Sequence, residues 1–391
     1  MIKCAVIGAS NEAIPMIKTV HDLGIYVIGM DGNADAEGLK YVDEAIITDL
    51  KDKENVANIL KQKNISFVLP VPIGSILTTT GFVNDALGLK GIGFHAAVNC
   101  ADKYKFHQLL HNKSLRNIEC KLLKEYTKYT NIKFPKIIKP RFGSGSKSVR
   151  VLKKLDDLHI FLAENKSNDC EYILEDIIDG EEYGLDAIVI KNTIGIRLLR
   201  KKKNTPLPFR QSLGYITVST VVNDDNKKLY SRVQAYMQDV INALNISDCV
   251  MHADIIVKDN NVCVIEMAGR PSGHYIHKEL FKYATGGNII EDFVKYCLED
   301  TIKIFDNKIK LVAESFFDFE NVKISSVPNE DLVMNNTNIL SYYCTIKPGD
   351  YMMKIVDGHS VASRGYFIVQ GDNEKEITDN IIKIKALFKF E

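Results

Sequence analysis

Two acids sit in otherwise apolar runs: Asp254 between Ala253 and Ile255-Ile256-Val257, and Glu266 between Ile265 and Met267. Alternation over Met251–Val257 and Asn261–Met267, around the turn Lys258–Asn260, predicts a β-hairpin that puts both carboxylates on one face. An acid embedded in an apolar strand needs a partner. The pair, with Arg270 just beyond, could hold magnesium and set a cation over phosphate oxygens; it could also be two solvated acids on a hairpin. A second signal is Lys139, which emerges from the apolar run Ile137-Ile138 directly before Pro140 and the loop Arg141–Ser148. Gly143 and Gly145 let backbone approach an anion, and Ser144, Ser146, exposed N–H groups and Lys147 could cradle phosphates. A flexible hairpin turn would use the same residues. A lysine in a buried strand rarely stands without an anionic partner, which favours the phosphate cradle. The third signal is Glu175-Asp-Ile-Ile-Asp-Gly-Glu-Glu182, a strand edge that could offer backbone groups to an adenine, with Glu182 placed for ribose hydroxyls.

These groups must be carried by elements that the pattern also predicts. Ile2–Ile7, Ile25–Met30, Glu44–Ile47 and Phe67–Pro70 read as strands, and Glu12–Leu23 and Asn55–Lys63 as helices between them. That rhythm predicts a parallel sheet with helices on both faces. Gly8-Ala9-Ser10 lacks the G-x-G-x-x-G fingerprint and reads as a tight turn, with a substrate contact left open. Ala101 to about Leu123 reads as helical with Asp102 as its N-cap. Ile137–Lys139, Val149–Leu152, Tyr172–Glu175 and Gly184–Ile190 read as strands. The strand–loop–strand setting of Arg141–Ser148 excludes a P-loop, which runs from a strand into a helix. Arg200–Tyr215 reads as an irregular loop, Tyr230–Leu244 as an amphipathic helix and Ile289–Asp300 as a closing helix. The remainder reads as a small α+β unit ending in a helix from about Glu374.

Composition narrows the partners. Lys+Arg and Asp+Glu balance at 50 each, so no nucleic-acid partner is expected. The cation run Arg200–Lys203 reads as a solvated loop. No apolar run approaches the roughly 20 residues of a membrane span, and Cys4–Ala9 reads as a buried strand, not a signal peptide. Eight cysteines without a C-x-x-C pair point to reduced thiols in a cytoplasmic protein, and away from a disulfide framework or zinc site.

Taken in order, Lys103, Lys139 with the Gly/Ser loop, Glu175 with Glu182, and Asp254, Glu266 and Arg270 resemble the ATP-grasp superfamily. Arg270-Pro-Ser-Gly273 is similar to the Arg-x-x-Gly of its carboxylate–amine (L-amino acid) ligase-like branch. The resemblance implies a mixed α/β and α+β chain: a Rossmann-like domain over residues 1–98, a two-lobe ATP-grasp domain over 99–310 with its mobile lobe at about 130–190, and a small α+β subdomain over 311–391. It implies that Lys103 reaches the nucleotide from the side and Lys139 binds the α/β phosphates under a Gly143–Ser148 flap. Glu175 would read the adenine amino group beside the Ile177 backbone, and Glu182 the ribose. Asp254 and Glu266 would bind metal, and Arg270 would steady the transferred phosphoryl group. The family pattern Glu-x-Asn-x-Arg is here Glu266-Met-Ala268-Gly-Arg270, so an asparagine ligand is missing and the second ion rests on Glu266 or on water. The cofactors implied are ATP with Mg2+ or Mn2+, the partners a small carboxylate and a small amine, with a homodimer as a family-level expectation. Arg210 is a candidate grip for a substrate carboxylate and His274 a candidate substrate-facing imidazole. His252, two residues before Asp254, should face the same side.

The leading functional reading is an ATP-dependent ligase that joins a carboxylate to an amine through an acyl phosphate. A bicarbonate-using carboxylase or carbamoyl-phosphate-type enzyme and, because of Ala268, a catalytically silent ATP-binding protein are the alternatives.

Overall fold

The computed structural model spans residues 1–391 and describes all but 75, 127–128, 130, 144, 146, 167–169, 274–275, 277–278, 301–307 and the side chain of 359. Ser144, Ser146 and His274, each expected at the site, lie outside the described residues.

Four short apolar strands open the chain: β1 (Lys3–Ile7), β2 (Tyr26–Asp31), β3 (Glu44–Ile47) and β4 (Phe67–Val68). They pair in parallel in the order β3-β2-β1-β4. On β1, Cys4 and Val6 pack with Met16, Ile17 and Val20 of α1 (Ile14–Asp22), while Ala5 and Ile7 pack with Val56 and Leu60 of α2 (Lys53–Lys63). A strand apolar on both faces belongs in the middle of a covered sheet. Gly8 ends β1 at φ +91, where a side chain would collide with Ile73 and Ile76, so the turn needs glycine.

Helices α3 (Leu77–Leu87) and α4 (Phe94–Ala101) lead to Asp102, whose carboxylate caps α5 (Lys103–Asn112) by accepting from the Tyr104 and Lys105 N–H groups at 3.1 and 3.2 Å. The helix ends at Asn112 and does not run on to Leu123 as expected. Ser114 turns at positive φ, and Cys120–Leu122 is claimed as strand β5 by a partner distant in sequence. Asp102 also takes two bonds from Arg141, at 2.8 and 2.6 Å. Asp102→Ala removes the cap and that anchor together and should lower stability by about 2 kcal/mol in urea unfolding. Asp102→Asn, which keeps the cap, should recover about half of the loss; equal losses in both variants would show that the cap contributes nothing.

Strands β5, β6 (Lys136–Pro140), β7 (Arg150–Leu152) and β8 (Tyr172–Asp176) form an antiparallel sheet in the order β5-β8-β6-β7. Its outer face buries Ile138, Leu152 and Leu174 against Leu158 and Phe161 of α6 (Leu155–Glu164). Ile137 pairs with Glu175 and Lys139 with Ile173, so Lys139 and Glu175 share the inner face.

The central sheet holds β9 (Glu181–Ile190), β10 (Thr193–Asn204), β11 (Ser212–Thr217), β12 (Cys249–Lys258), β13 (Asn261–Ala268), β14 (Val312–Phe316), β16 (Ile339–Cys344) and β18 (Gly365–Gln370), in the order β13-β12-β9-β10-β11-β14-β18-β16. Residues 311–391 thus extend this sheet, while β15 (Val322–Ser326), β17 (Tyr351–Met352) and β19 (Lys389–Phe390) form a small sheet of their own. Period-two alternation splits the central strands. Leu185, Ala187, Met251, Ala253 and Ile255 bury against the stripe Val233, Met237, Val240, Ile241 and Leu244 of α7 (Asp225–Leu244). The alternate positions Glu182, Gly184, Asp186, His252 and Asp254 face the β5–β8 lobe.

The same alternation corrects the reading of Arg200–Tyr215. Strand β10 runs through the cation run, and only 205–211 separate it from β11. Arg200 and Lys202 point inward and are buried or nearly so, while Lys201 and Lys203 are the outward pair. A solvated loop was the wrong expectation because two of the four cations have buried acids to meet.

Candidate functional site

Asp254 and Glu266 are direct cross-strand partners in the β12–β13 register. They lie where two clefts meet. The first cleft runs between the inner lobe face and the central sheet and encloses about 860 Å³, counting its open mouth. Ile137, Val149 and Val151 form one wall and Ile256 and Ile265 the other, a slot suited to a flat aromatic ring, with Ile177 and Ile178 at its edge. The larger cleft is bounded by Ile73 and Leu77 of the N-terminal domain, by Arg270 and His252, and by Asp357 and Gly358 of the C-terminal region. Lys103, Lys202, Asp254 and Glu266 line both.

Cations surround this junction. Lys103, the first residue of α5, donates from Nζ to the Gly143 carbonyl at 2.5 Å and stands 4.0 Å from Glu266 Oε2. Burial lowers its pKa, the neighbouring Lys139 adds to that, and Glu266 pulls the other way. Gly143 and Gly145 take φ +117 and +72, the left-handed region that glycine enters freely, and so shape the loop over the junction. Lys202 bridges Glu182 and Asp254 at 2.8 Å each. Burial opposes its charge, but the two acids outweigh burial and raise its pKa. Glu182 also accepts from Asn204 at 2.8 Å and Arg210 at 2.7 Å, and Lys202 and Arg210 hold it low against the burial that would raise it. Arg210, the expected grip for a substrate carboxylate, lines the first cleft and is paired there with Glu182.

Glu175 is 1% exposed. One oxygen takes Arg116 at 2.8 Å and Lys139 at 3.0 Å, and the other lies 2.8 Å from His107 Nε2, in an orientation that makes no good hydrogen bond. Burial works against the carboxylate, yet His107, Lys139 and Arg116 together hold its pKa well below the usual range. Burial pushes His107 down to about 4, so the imidazole is neutral near pH 7 and the pairing rests on Arg116 and Lys139. His107, Cys120 and Glu175 have ligand atoms within 4.8 Å of one another, but two cations already on Glu175 repel a third, so this is not a metal site.

Arg270 lines the larger cleft and donates from Nη1 to the Pro271 carbonyl at 2.7 Å; burial lowers its pKa, opposed by Glu266, Glu12 and Asp254. His252 has Nδ1 3.3 Å from the Leu185 carbonyl and Nε2 3.7 Å from Asp254 Oδ1, and burial takes its pKa down to about 3. For a hard divalent ion the donor set is chemically apt: two carboxylates in register at the end of a slot, with lysines near to share phosphate charge.

Reading the sequence missed Lys202, His107, Arg116 and Glu12. Lys202 was findable from the alternation Arg200/Lys202 once β10 is continued, and His107 from its position four residues after Lys103 on one helix. Arg116 carries no local signal. Glu12, in the turn after β1, reaches the larger cleft and approaches Gly273.

Residues 132–279 match the family model described as ATP-grasp domain. A formate-dependent phosphoribosylglycinamide formyltransferase from Prochlorococcus marinus subsp. pastoris is 21% identical over 282 residues, which span 69% of this chain and 70% of the relative. D-alanine–D-alanine ligase A from Clostridium perfringens is 24% identical over 273 residues, spanning 67% of this chain and 88% of the relative. The crystal structure of an L-amino acid ligase from Bacillus licheniformis covers 100% of this chain and 98% of its own, with TM-score 0.81 and 16% identity. Among the described residues no helix is long and apolar enough to cross a membrane. Over residues 132–279, then, the chain carries an ATP-grasp domain.

Proposed function

We propose that this protein is an ATP-dependent carboxylate–amine ligase that forms an amide or peptide bond through an acyl phosphate and releases ADP and phosphate. The observation that carries the reading is the in-register pair Asp254 and Glu266 at the junction of an apolar-walled slot and a larger second cleft. Adenine lies between the apolar walls, with Glu182 at the ribose end and Lys103, Lys139 and Lys202 at the phosphate end. Asp254 and Glu266 would hold Mg2+ or Mn2+, which when bound neutralises charge on the transferring phosphoryl group. Arg270, on the far side of the pair, steadies the acid in the larger cleft.

The chemistry follows from that placement. Hydroxide is a poor leaving group, so a carboxylate does not condense with an amine in water. Transfer of the γ-phosphoryl group to a carboxylate oxygen gives a mixed anhydride. The amine nitrogen then attacks the acyl carbon, the C–O bond breaks, phosphate leaves and the amine loses a proton. The protein's part is alignment and charge neutralisation by Lys103, Lys139, Lys202 and Arg270. The likeness of fold to an L-amino acid ligase supports amino acids as the substrates to try first.

A matrix of amino-acid pairs with Mg-ATP, assayed for phosphate release, tests this. One or more pairs should release ADP and phosphate in step with a dipeptide or amide. Release that requires bicarbonate and no amino acid would replace this reading with a carboxylase. Tight ATP binding with no release for any acid would replace it with a silent nucleotide-binding protein.

A further inference from the structure

His252 and Ala268 are direct cross-strand partners two residues along the hairpin from Asp254 and Glu266. Side chains so placed have Cβ atoms about 5 Å apart, and an alanine methyl leaves the space between the strands to the imidazole. Ala268 itself offers no donor. The His252 ring is fixed at one end, with Nδ1 3.3 Å from the Leu185 carbonyl oxygen. Arg200 Nη2 is 3.4 Å from the same nitrogen, but Arg200 is bound to Asp186 and its guanidinium lies flat over Gly184, so the carbonyl is the nearer and better partner.

A ring that donates Nδ1–H to Leu185 keeps a lone pair on Nε2. That lone pair faces Asp254 Oδ1 at 3.7 Å, too far for a hydrogen bond, while Lys202 occupies Oδ2 at 2.8 Å. Two acceptors facing each other at this spacing can be bridged by one ion bonded at about 2.1–2.2 Å to each. Donation of the remote ring N–H to a backbone carbonyl is how histidine ligands are commonly oriented. Glu266, with its side chain 41% exposed, has room to turn and complete the set.

We propose that His252, through Nε2, is a third protein ligand of the divalent ion held by Asp254 and Glu266, filling coordination that Ala268 cannot supply. The proposal rests on the metal reading given under the proposed function. It makes the site an O,O,N set, which favours Mn2+ over Mg2+ more than carboxylates alone would.

Mn2+ with the β,γ-methylene analogue of ATP, bound to the full-length protein, is the probe. Pulsed EPR should detect imidazole nitrogen coupled to Mn2+ in the wild type and not in His252→Ala. The apparent Kd for Mn2+ should rise about tenfold or more in that variant, with a smaller rise for Mg2+. Retained affinity for the metal-free analogue checks folding, and a His252→Ala/Ala268→Asn double variant should regain Mn2+ affinity without the nitrogen signal. No nitrogen coupling in the wild type, with Mn2+ binding still abolished by Glu266→Gln, overturns the role of His252 and leaves the metal reading standing. Mn2+ binding that is indifferent to Glu266→Gln overturns both.

Discussion

Glu175→Gln should lower the stability of the protein by about 3–5 kcal/mol, the range expected when one partner of a buried ion pair is removed. Its carboxylate stands between Arg116, whose side chain is fully buried, and Lys139, itself 4% exposed. An amide keeps the shape but leaves two buried cations facing each other with no counter-charge. Denaturant unfolding of the full chain measures the effect, and a loss below about 1 kcal/mol would show that the network is not structural. The pH dependence has a definite sign. The folded-state pKa of Glu175 lies below its usual value, so its contribution is complete above the unfolded carboxylate's range of about 4.3 and is lost as pH falls through the folded value. His107 acts in the same direction over a higher window. Its folded pKa of about 4 against 6.5 unfolded means the unfolded chain binds the proton more readily, so stability falls as pH drops from 6.5 towards 4. Wild-type stability should therefore decline in two acid steps, and Glu175→Gln should flatten the lower one.

Glu266→Gln should leave the fold intact and lower the rate of ADP formation by about 10²–10³-fold, the size of loss seen when one preorganised contact to developing charge is removed. The side chain is 41% exposed and its pair with Lys103 is long, at 4.0 Å, so little stability is at stake. What changes is chemical. An amide oxygen carries no net charge, and the hard anionic donor opposite Asp254 is lost. Asp254→Asn is a less clean probe, because Lys202 bridges Asp254 and Glu182 and would lose one of its two acids. Steady-state ADP formation with Mg-ATP and a responsive amino-acid pair gives the answer. Near-wild-type turnover in Glu266→Gln would remove this residue from the metal site.

Much of this was legible from spacing alone. The β12–β13 hairpin follows from two apolar-rich runs around a short turn, and the α/β opening from apolar runs that recur at βαβ spacing. Lys139 was legible as a lysine misplaced in an apolar strand. Glu175 shows the limit. Its position on the inner face was readable, but its three partners come from α5, from the stretch before β5 and from β6, and only tertiary folding brings them together. Arg200–Lys203 failed for a related reason. Four consecutive cations suggest solvent, and nothing local reveals that Asp186, Glu182 and Asp254 wait on neighbouring strands. The early stop of α5 failed because β5 exists only through its pairing with β8.

The central claim is that Mg-ATP in the first cleft phosphorylates a carboxylate held in the second. It is tested most directly by following oxygen. The acid of a responsive pair, labelled with 18O in its carboxylate, is turned over with Mg-ATP, and the released phosphate is examined by 31P NMR. An acyl phosphate requires one carboxylate oxygen to leave with phosphorus, so one 18O should appear in each phosphate formed with product. Unlabelled phosphate alongside amide product would contradict the account.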